Sequence, residues 1–223
     1  MNILAFDTAT EYLGIALANK EDNIIITANI GLRHGESLLP WIDILCQEIK
    51  LNPLELNLIV CAIGPGSFTG LRIGLSTAKG IASAAGCPLI GISNMDAIAY
   101  RFRFFDGIVT PIIDARKKRF YCAFYEKGKR ISNYLDIDPV HLANLLKKYP
   151  KVLLTGPHAA FFLKKIANNY LQEIEQLESA ISVTEPSTLL ELGHLTFKKQ
   201  GPDPDTLKPM YIRKSEAEIL KGH

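Results

Sequence analysis

Apolar and polar positions alternate along the first hundred residues in blocks that predict strands and helices. Five apolar runs, each bounded by polar or turn-forming residues, predict strands over positions 3–6, 13–18, 24–30, 58–63 and 88–92. The first three runs follow one another through short turns, which predicts an antiparallel meander. Apolar residues recur at helical spacing over about 36–50 and again over 75–85, which predicts two helices.

The same order restarts in the second half of the chain. Apolar runs predict strands over 108–113, 120–125, 131–137 and 152–154, with helices over 141–149, 159–170 and 186–199. An aspartate ends the first strand of each half, Asp7 in one and Asp114 in the other. This duplicated order favours an α/β fold of the actin-like ATPase (ASKHA) type, with two related subdomains whose mixed sheets are flanked by helices.

The duplication also predicts where the subdomains divide. A chain of 223 residues is long enough for one large domain or two small ones. We expect an N-terminal actin-like subdomain over 1–100 and a C-terminal one over 101–210. A C-terminal helix, about 211–221, is expected to join the N-terminal subdomain.

Composition and charge narrow the class of protein. An apolar fraction of 48% and a charged fraction of 22% are those of a globular protein. A net charge of +2 argues against this chain as the main RNA-binding subunit. The basic clusters at 116–119, 127–130 and 213–214 fit either a solvated face or a contact with phosphate. Four widely spaced cysteines without a CxxC pair indicate reduced thiols. Without a signal sequence or an apolar run of about 18 residues, we expect a cytoplasmic protein with no membrane contact.

The glycine turn 64–74 is the most specific segment of the sequence. A P-loop ends in Gly-Lys-Ser/Thr, and a dinucleotide turn reads Gly-x-Gly-x-x-Gly. The segment fits neither pattern, because Thr69 stands where Gly64 and Gly66 require a third glycine. Two interpretations stay open, a tight turn with nothing bound and an anion site at the amides that begin the following helix.

Small residues recur every four positions in the helix that follows this turn. They are Gly70, Gly74, Ala78, Ala82 and Gly86. Such spacing gives the helix one flat face, which another element can approach closely. That face either packs on the chain's own sheet or forms a helix–helix interface with another chain, and the sequence is compatible with both.

Candidate catalytic residues are few. Acidic residues at the positions of Asp7 and Asp114 organise magnesium and phosphate in actin-like ATPases, but neither turn here contains a glycine. Turn capping accounts for both aspartates equally well, and Arg116 is an ion-pair partner for Asp114. The histidines form no HxxxH or HExxH pair, and Ser67 is not in a GxSxG elbow. We therefore predict no catalytic, cofactor-binding or metal-binding residues.

Five segments resemble one protein family, and the resemblance covers essentially the whole chain. They are Ile3–Thr10, His34–Pro40, Gly64–Gly74, Asp114-Ala115-Arg116 and Tyr211-Ile212-Arg213. In this order they strongly resemble the bacterial TsaB family, also called YeaZ. The resemblance implies a two-domain actin-like fold. It also implies a non-catalytic role in making threonylcarbamoyladenosine at the adenosine next to the tRNA anticodon.

The resemblance further implies partners and an interface. A TsaB protein binds and activates the transferase TsaD together with the ATPase TsaE, forms a homodimer when alone, and reaches tRNA through the complex. The complex uses ATP and threonylcarbamoyl-AMP. Whether a nucleotide also binds at the junction with TsaD is left open by the sequence. The implied interface residues are Leu38, Trp41, Ile42, Leu45, Gly70, Leu71, Gly74, Leu75 and Ala78. The alternatives are an actin-fold ATPase or kinase and a glycoprotease-like enzyme that acts alone.

Overall fold

A computed structural model describes residues 1–166, 175–178 and 184–213 of the chain. The strands are β1 (Ile3–Asp7), β2 (Tyr12–Ala18), β3 (Asn23–Asn29), β4 (Leu58–Gly64), β5 (Leu89–Ser93), β6 (Ile108–Asp114), β7 (Phe120–Cys122), β8 (Tyr125–Glu126), β9 (Lys129–Arg130), β10 (Leu135–Ile137), β11 (Lys151–Thr155) and β12 (Glu175–Glu178). The helices are α1 (His34–Glu48), α2 (Phe68–Ala85), α3 (Asn94–Tyr100), α4 (Pro139–Leu146), α5 (Ala159–Lys165) and α6 (Pro186–Gln200). None of these helices is both long enough and apolar enough to cross a membrane.

The chain divides into two compact units. The first comprises Met1–Ala97 and Thr184–Pro209, and the second comprises the described residues within Ile98–Val183 and Met210–His223. The sheet of the first unit has the order β3-β2-β1-β4-β5. Strands β1, β2 and β3 form the predicted antiparallel meander, while β1, β4 and β5 run parallel to one another.

Both faces of the first sheet are covered by helices. Alternation along β1 places Leu4 in a core cluster with Leu38 of α1 and Ala78 of α2. Ile3 belongs instead to a second cluster, which contains Leu189 of α6. Burial on both faces explains why β1 and β4 read as nearly continuous apolar runs rather than as alternating ones.

The second unit repeats this strand order. Its path is β10-β7-β6-β11-β12, in which β6, β7 and β10 are antiparallel and β6, β11 and β12 are parallel. The hairpin β8–β9 adds to the start of β6. Side chains from the strands and from α4 and α5 form the core, among them Phe120, Leu142 and Phe162. The repeated order confirms the predicted actin-like fold with two related subdomains.

The division into units differs from the boundaries predicted at residues 100 and 210. Helix α6 lies in the first unit, where Gly193 approaches β4 so closely that an added Cβ would overlap the Val60 side chain. The start of the C-terminal segment lies in the second unit, because Arg213 donates to both carboxylate oxygens of Asp136 at 2.7 and 2.8 Å. The remainder of the helix predicted over 211–221 lies outside the described residues.

Several element boundaries also differ from the prediction. Helix α2 begins at Phe68 rather than at residue 75, because Ser67 caps it through its side chain. The strand predicted over 120–125 is two strands, β7 and β8, and the chain then turns at Lys127 and Gly128, which both have positive φ. The end of the helix predicted over 159–170 falls outside the described residues, and α3 was not predicted.

Candidate functional site

The glycine turn 64–74 packs directly on the turn between β1 and β2. The Ser67 N–H donates to the Ala9 carbonyl at 2.7 Å, and a Cβ added to Gly66 would lie 2.5 Å from the same oxygen. The Ser67 side chain accepts a hydrogen bond from the Gly70 N–H at 3.3 Å. Two donors at the start of α2 are therefore used within the chain, which favours the tight turn over the anion site.

Asp7 is buried at the end of β1, and both of its carboxylate oxygens accept hydrogen bonds from the chain. Oδ1 accepts from the Ala9 N–H at 2.7 Å, and Oδ2 accepts from the Asn94 side-chain amide at 2.6 Å. Asn94 Nδ2 also donates to Thr184 Oγ1 at 3.2 Å, and Asn94 Oδ1 accepts from the Gly64 N–H at 2.9 Å. Burial raises the pKa of Asp7 above its ordinary value, while the hydrogen bonds act in the opposite direction.

This network gives Asp7 the turn-capping role that was one of its two predicted roles. It also joins the β1–β2 turn, the glycine turn and the start of α3. Sequence reasoning missed Asn94 and Thr184, and no local signal could have found them. Asn94 lies 87 residues from Asp7, and Thr184 lies a further 90 residues along the chain, so that only the fold brings these groups together.

His34 begins α1 and is buried against the β1–β2 turn. Its Nε2 lies 2.6 Å from the Thr10 carbonyl oxygen, and Nε2 must donate because a carbonyl can only accept. Its Nδ1 is buried without a hydrogen-bond partner. No group of three or more His, Cys, Asp or Glu residues within the described ranges is arranged to hold a metal ion. His34 therefore ties α1 to the turn that Asp7 caps.

The predicted interface residues are placed mostly inside the first unit. Half-buried Trp41 is accompanied by eight buried residues, which are Leu38, Ile42, Leu45, Gly70, Leu71, Gly74, Leu75 and Ala78. A Cβ added to Gly70 would overlap the Thr8 carbonyl, and one added to Gly74 would overlap Thr8 Oγ1. The first part of the flat face of α2 thus packs on the chain's own β1–β2 turn, and Ala78 and Ala82 of the same face enter the core of the first unit. In the isolated chain these eight buried residues offer a partner little surface, whereas Trp41 and the exposed residues of α1 and α2 are accessible, and the predicted contacts stay a prediction.

The exposed faces of α1 and α2 carry large apolar side chains. Leu39 on α1 is 55% exposed, and Phe68 on α2 is 42% exposed. The Arg72 guanidinium lies 3.8 Å from the centroid of the Phe68 ring, which is a cation–π contact. The two helices meet where a Cβ on Gly35 would lie 3.7 Å from Ile73 Cδ1. Aromatic and arginine side chains on exposed apolar surface are typical of protein interfaces.

Asp114 caps the turn after β6 in the second unit. Its Oδ1 accepts from the Arg116 N–H at 2.8 Å, and the Arg116 guanidinium lies 3.4 Å from Oδ2. This is the predicted pairing with Arg116. The turn is followed by left-handed backbone at Arg116, Lys117 and Lys118, whose φ angles are 58°, 52° and 59°. This backbone conformation is unfavourable for residues other than glycine. All three of these basic residues are exposed at the surface.

Asp136 on β10 is the centre of an ion-pair cluster in the second unit. Its carboxylate accepts from Arg213 through two nitrogens and from Arg119 Nε at 2.7 Å. Burial alone would raise the pKa of Asp136, but the two guanidiniums outweigh it and hold the pKa below its ordinary value. The cluster links the start of the C-terminal segment to β10.

Comparison with known proteins decides the family. The family model for TsaD, tRNA N6-adenosine threonylcarbamoyltransferase, matches residues 25–221. The Bacillus subtilis tRNA threonylcarbamoyladenosine biosynthesis protein TsaB is 33% identical over 98% of this chain and 96% of its own length. The chain belongs to the TsaB family. The membership predicted from the five segments is thereby confirmed.

Other TsaB relatives and solved structures agree. The Escherichia coli TsaB protein is 35% identical over 58% of this chain and 57% of its own length. YeaZ from Pseudomonas aeruginosa has a TM-score of 0.78 at 21% identity, covering 95% of this chain and 99% of that one. A structure described as an uncharacterized Pseudomonas aeruginosa protein with similarity to peptidase YEAZ has the same TM-score at 22% identity and the same coverage. At these identities the two structures show a shared fold.

Proposed function

We propose that this TsaB-family protein is a non-catalytic partner subunit in the synthesis of threonylcarbamoyladenosine on tRNA. In this role it binds and activates the transferase TsaD together with the ATPase TsaE. The internally bonded β1–β2 turn carries the proposal. Both carboxylate oxygens of Asp7 are engaged by the chain itself, at the position whose acidic residue organises magnesium and phosphate in an actin-like ATPase. The Ser67 amide is also bonded to this turn.

The exposed faces of α1 and α2 are the proposed contact with TsaD, and with a second copy when the protein is alone. Leu39 and Phe68 offer apolar area for a partner to bury. Because each is already about half buried, each contributes roughly half of the 1.5–3 kcal/mol gained by burying a fully exposed side chain. This subunit needs no cofactor of its own in the proposal. The complex uses ATP and threonylcarbamoyl-AMP, and a nucleotide at the TsaD junction is part of the same proposal.

Reconstituted modification of a tRNA transcript, with and without this protein, tests the proposed role. We expect the modified adenosine to form only when the protein is present. We also expect calorimetry of the isolated protein with magnesium and ATP to detect no tight binding. ATP turnover by the isolated protein would refute the proposal in favour of an actin-fold ATPase or kinase, and peptide cleavage would favour a glycoprotease-like enzyme.

A charge placed on the exposed face tests the interface separately. Leu39→Arg should weaken TsaD binding by roughly 30-fold, which corresponds to losing one hot-spot side chain. Leu54→Arg is the matched control, because Leu54 is also exposed (61%) and lies outside both helices. Neither variant should change the thermal midpoint by more than a few degrees. Equal TsaD binding by Leu39→Arg and the parent protein would exclude this face of α1 from the interface.

A further inference from the structure

An aromatic and basic cluster lies in the second unit, outside the sites described above. Its most exposed member is Phe104, at 86% exposure the most exposed phenylalanine of the chain's described part. The Arg103 guanidinium lies 4.8 Å from the Phe104 ring centroid and 4.3 Å from the Tyr100 ring centroid. The arginine thus contacts both rings, and it leaves most of the Phe104 surface open to solvent.

The turn that carries this cluster is held in place by its own backbone. Three hydrogen bonds between residues three apart continue from the end of α3, from Phe102 N to Ala99 O at 3.0 Å, from Arg103 N to Tyr100 O at 3.1 Å, and from Phe105 N to Phe102 O at 2.9 Å. The Arg103 side chain also donates to the Tyr100 carbonyl at 3.2 Å. The exposed ring is therefore presented on a defined turn, so a ligand that stacks on it pays little ordering cost.

Cations from two other segments lie next to this turn. A Cβ on Gly128, at the tip of the β8–β9 hairpin, would lie 2.8 Å from Arg103 Cβ. Lys151 Nζ, at the start of β11, lies 5.4 Å from the Phe105 ring centroid. The exposed basic residues of the hairpin are Lys127, Lys129 and Arg130, and the exposed acidic residues beside these segments are Asp106 and Glu126. Positive charge therefore exceeds negative charge around the aromatic turn.

We propose that residues 100–105 and 127–130 form a surface that binds an unpaired segment of RNA. One base stacks on Phe104, and neighbouring phosphates contact the hairpin lysines. An exposed ring surrounded by cations is the usual platform for single-stranded nucleic acid, because every base has a π face and the cations follow the backbone. The choice of tRNA as the RNA rests on the proposed function. The inference departs from the expectation that the protein reaches tRNA through the complex, because it gives this subunit an RNA contact of its own.

Fluorescence anisotropy of the full-length protein with a labelled tRNA transcript, a single-stranded oligonucleotide and an RNA duplex tests this surface. Phe104→Ala should weaken binding of tRNA and of the single strand by about tenfold without changing the salt dependence. Phe104→Trp, which keeps a stacking ring, should retain binding. The double variant Lys127→Gln/Lys129→Gln should instead reduce the slope of log K against log salt by about 1.4, the value for two phosphate contacts on a single strand.

The control variant is Lys147→Gln/Lys148→Gln, which makes the same charge change at an exposed pair in the same unit and should leave the slope unchanged. The inference is overturned if Phe104→Ala binds tRNA as tightly as the parent protein does, or if the substitution weakens binding of protein partners only. It is also overturned if the parent protein binds the duplex as well as the single strand, or binds no RNA at low salt. Modification assays keep the two proposals apart. If tRNA modification proceeds without the protein but its RNA binding depends on Phe104, the proposed function alone is refuted. If modification requires the protein but its RNA binding does not depend on Phe104, this inference alone is refuted.

Discussion

Gly74→Ala should destabilise the first unit, although it replaces a helix glycine with the strongest helix former. A Cβ at position 74 would overlap Thr8 Oγ1 and would lie 3.6 Å from Cys61 Sγ. Thr8 is itself buried, and its hydroxyl donates to the Gly70 carbonyl at 2.8 Å. The added methyl group can fit only if the Thr8 hydroxyl moves, and that movement breaks the buried hydrogen bond.

Three effects decide the size of this loss. Helix propensity favours alanine by about 1 kcal/mol. Overpacking of a well-filled core costs about 1–3 kcal/mol, and loss of the hydrogen bond costs about 1 kcal/mol more. The free energy of unfolding should therefore fall by about 1–3 kcal/mol. Gly80 isolates the first effect, because no atom lies within 4 Å of an added Cβ there, so Gly80→Ala should raise the same free energy by about 1 kcal/mol.

Urea unfolding followed by the fluorescence of Trp41, the single tryptophan, measures this loss in the first unit. Thr8→Ala removes the oxygen that obstructs position 74, so Gly74→Ala should cost less in that background, with a coupling of about 1 kcal/mol or more. Gly70→Ala is the matched control, because its Cβ would overlap the Thr8 carbonyl, which Thr8→Ala retains. An equal cost of Gly74→Ala in both backgrounds would refute the reasoning.

Three further outcomes are expected. The lowered pKa of Asp136 supplies stability that is present above pH 3.8 and is lost as the pH falls through the lowered value, so Asp136→Asn should flatten the acid limb of a stability profile. The raised pKa of Asp7 has the opposite effect on stability, which should decline as the pH rises from 3.8 through the raised value. Asp7→Asn should remove that decline, and urea titrations should show a lower free energy of unfolding because the hydrogen bond from Asn94 is lost. A thiol reagent should modify only Cys87 in the native protein, because the other three cysteines are buried. Mass spectrometry should therefore detect no label on the native Cys87→Ser variant, and a labelled variant would contradict this prediction.

The major strands could be located along the sequence because each carries its own local signal. The apolar runs of β1, β4 and β6 need no partner to be visible in the sequence. Membership of the two units could not be predicted in the same way. Helix α6 belongs to the first unit because Leu189 enters the core there and Gly193 admits Val60, and these contacts join distant parts of the chain. Local periodicity shows which face of a helix is apolar, but not which sheet that face covers.

The small-residue spacing of α2 illustrates the same limit at the candidate site. A period of four predicts one flat face, but Thr8, which occupies that face at Gly70, lies 62 residues away in the sequence. Phe68 and Arg72 point away from this buried face and remain exposed. Packing on the β1–β2 turn fixes α2 in place, so the exposed face is ordered before any partner arrives and binding costs less entropy. In the proposed function, the packing of the glycine turn 64–74 on the β1–β2 turn therefore also makes α2 a rigid docking surface.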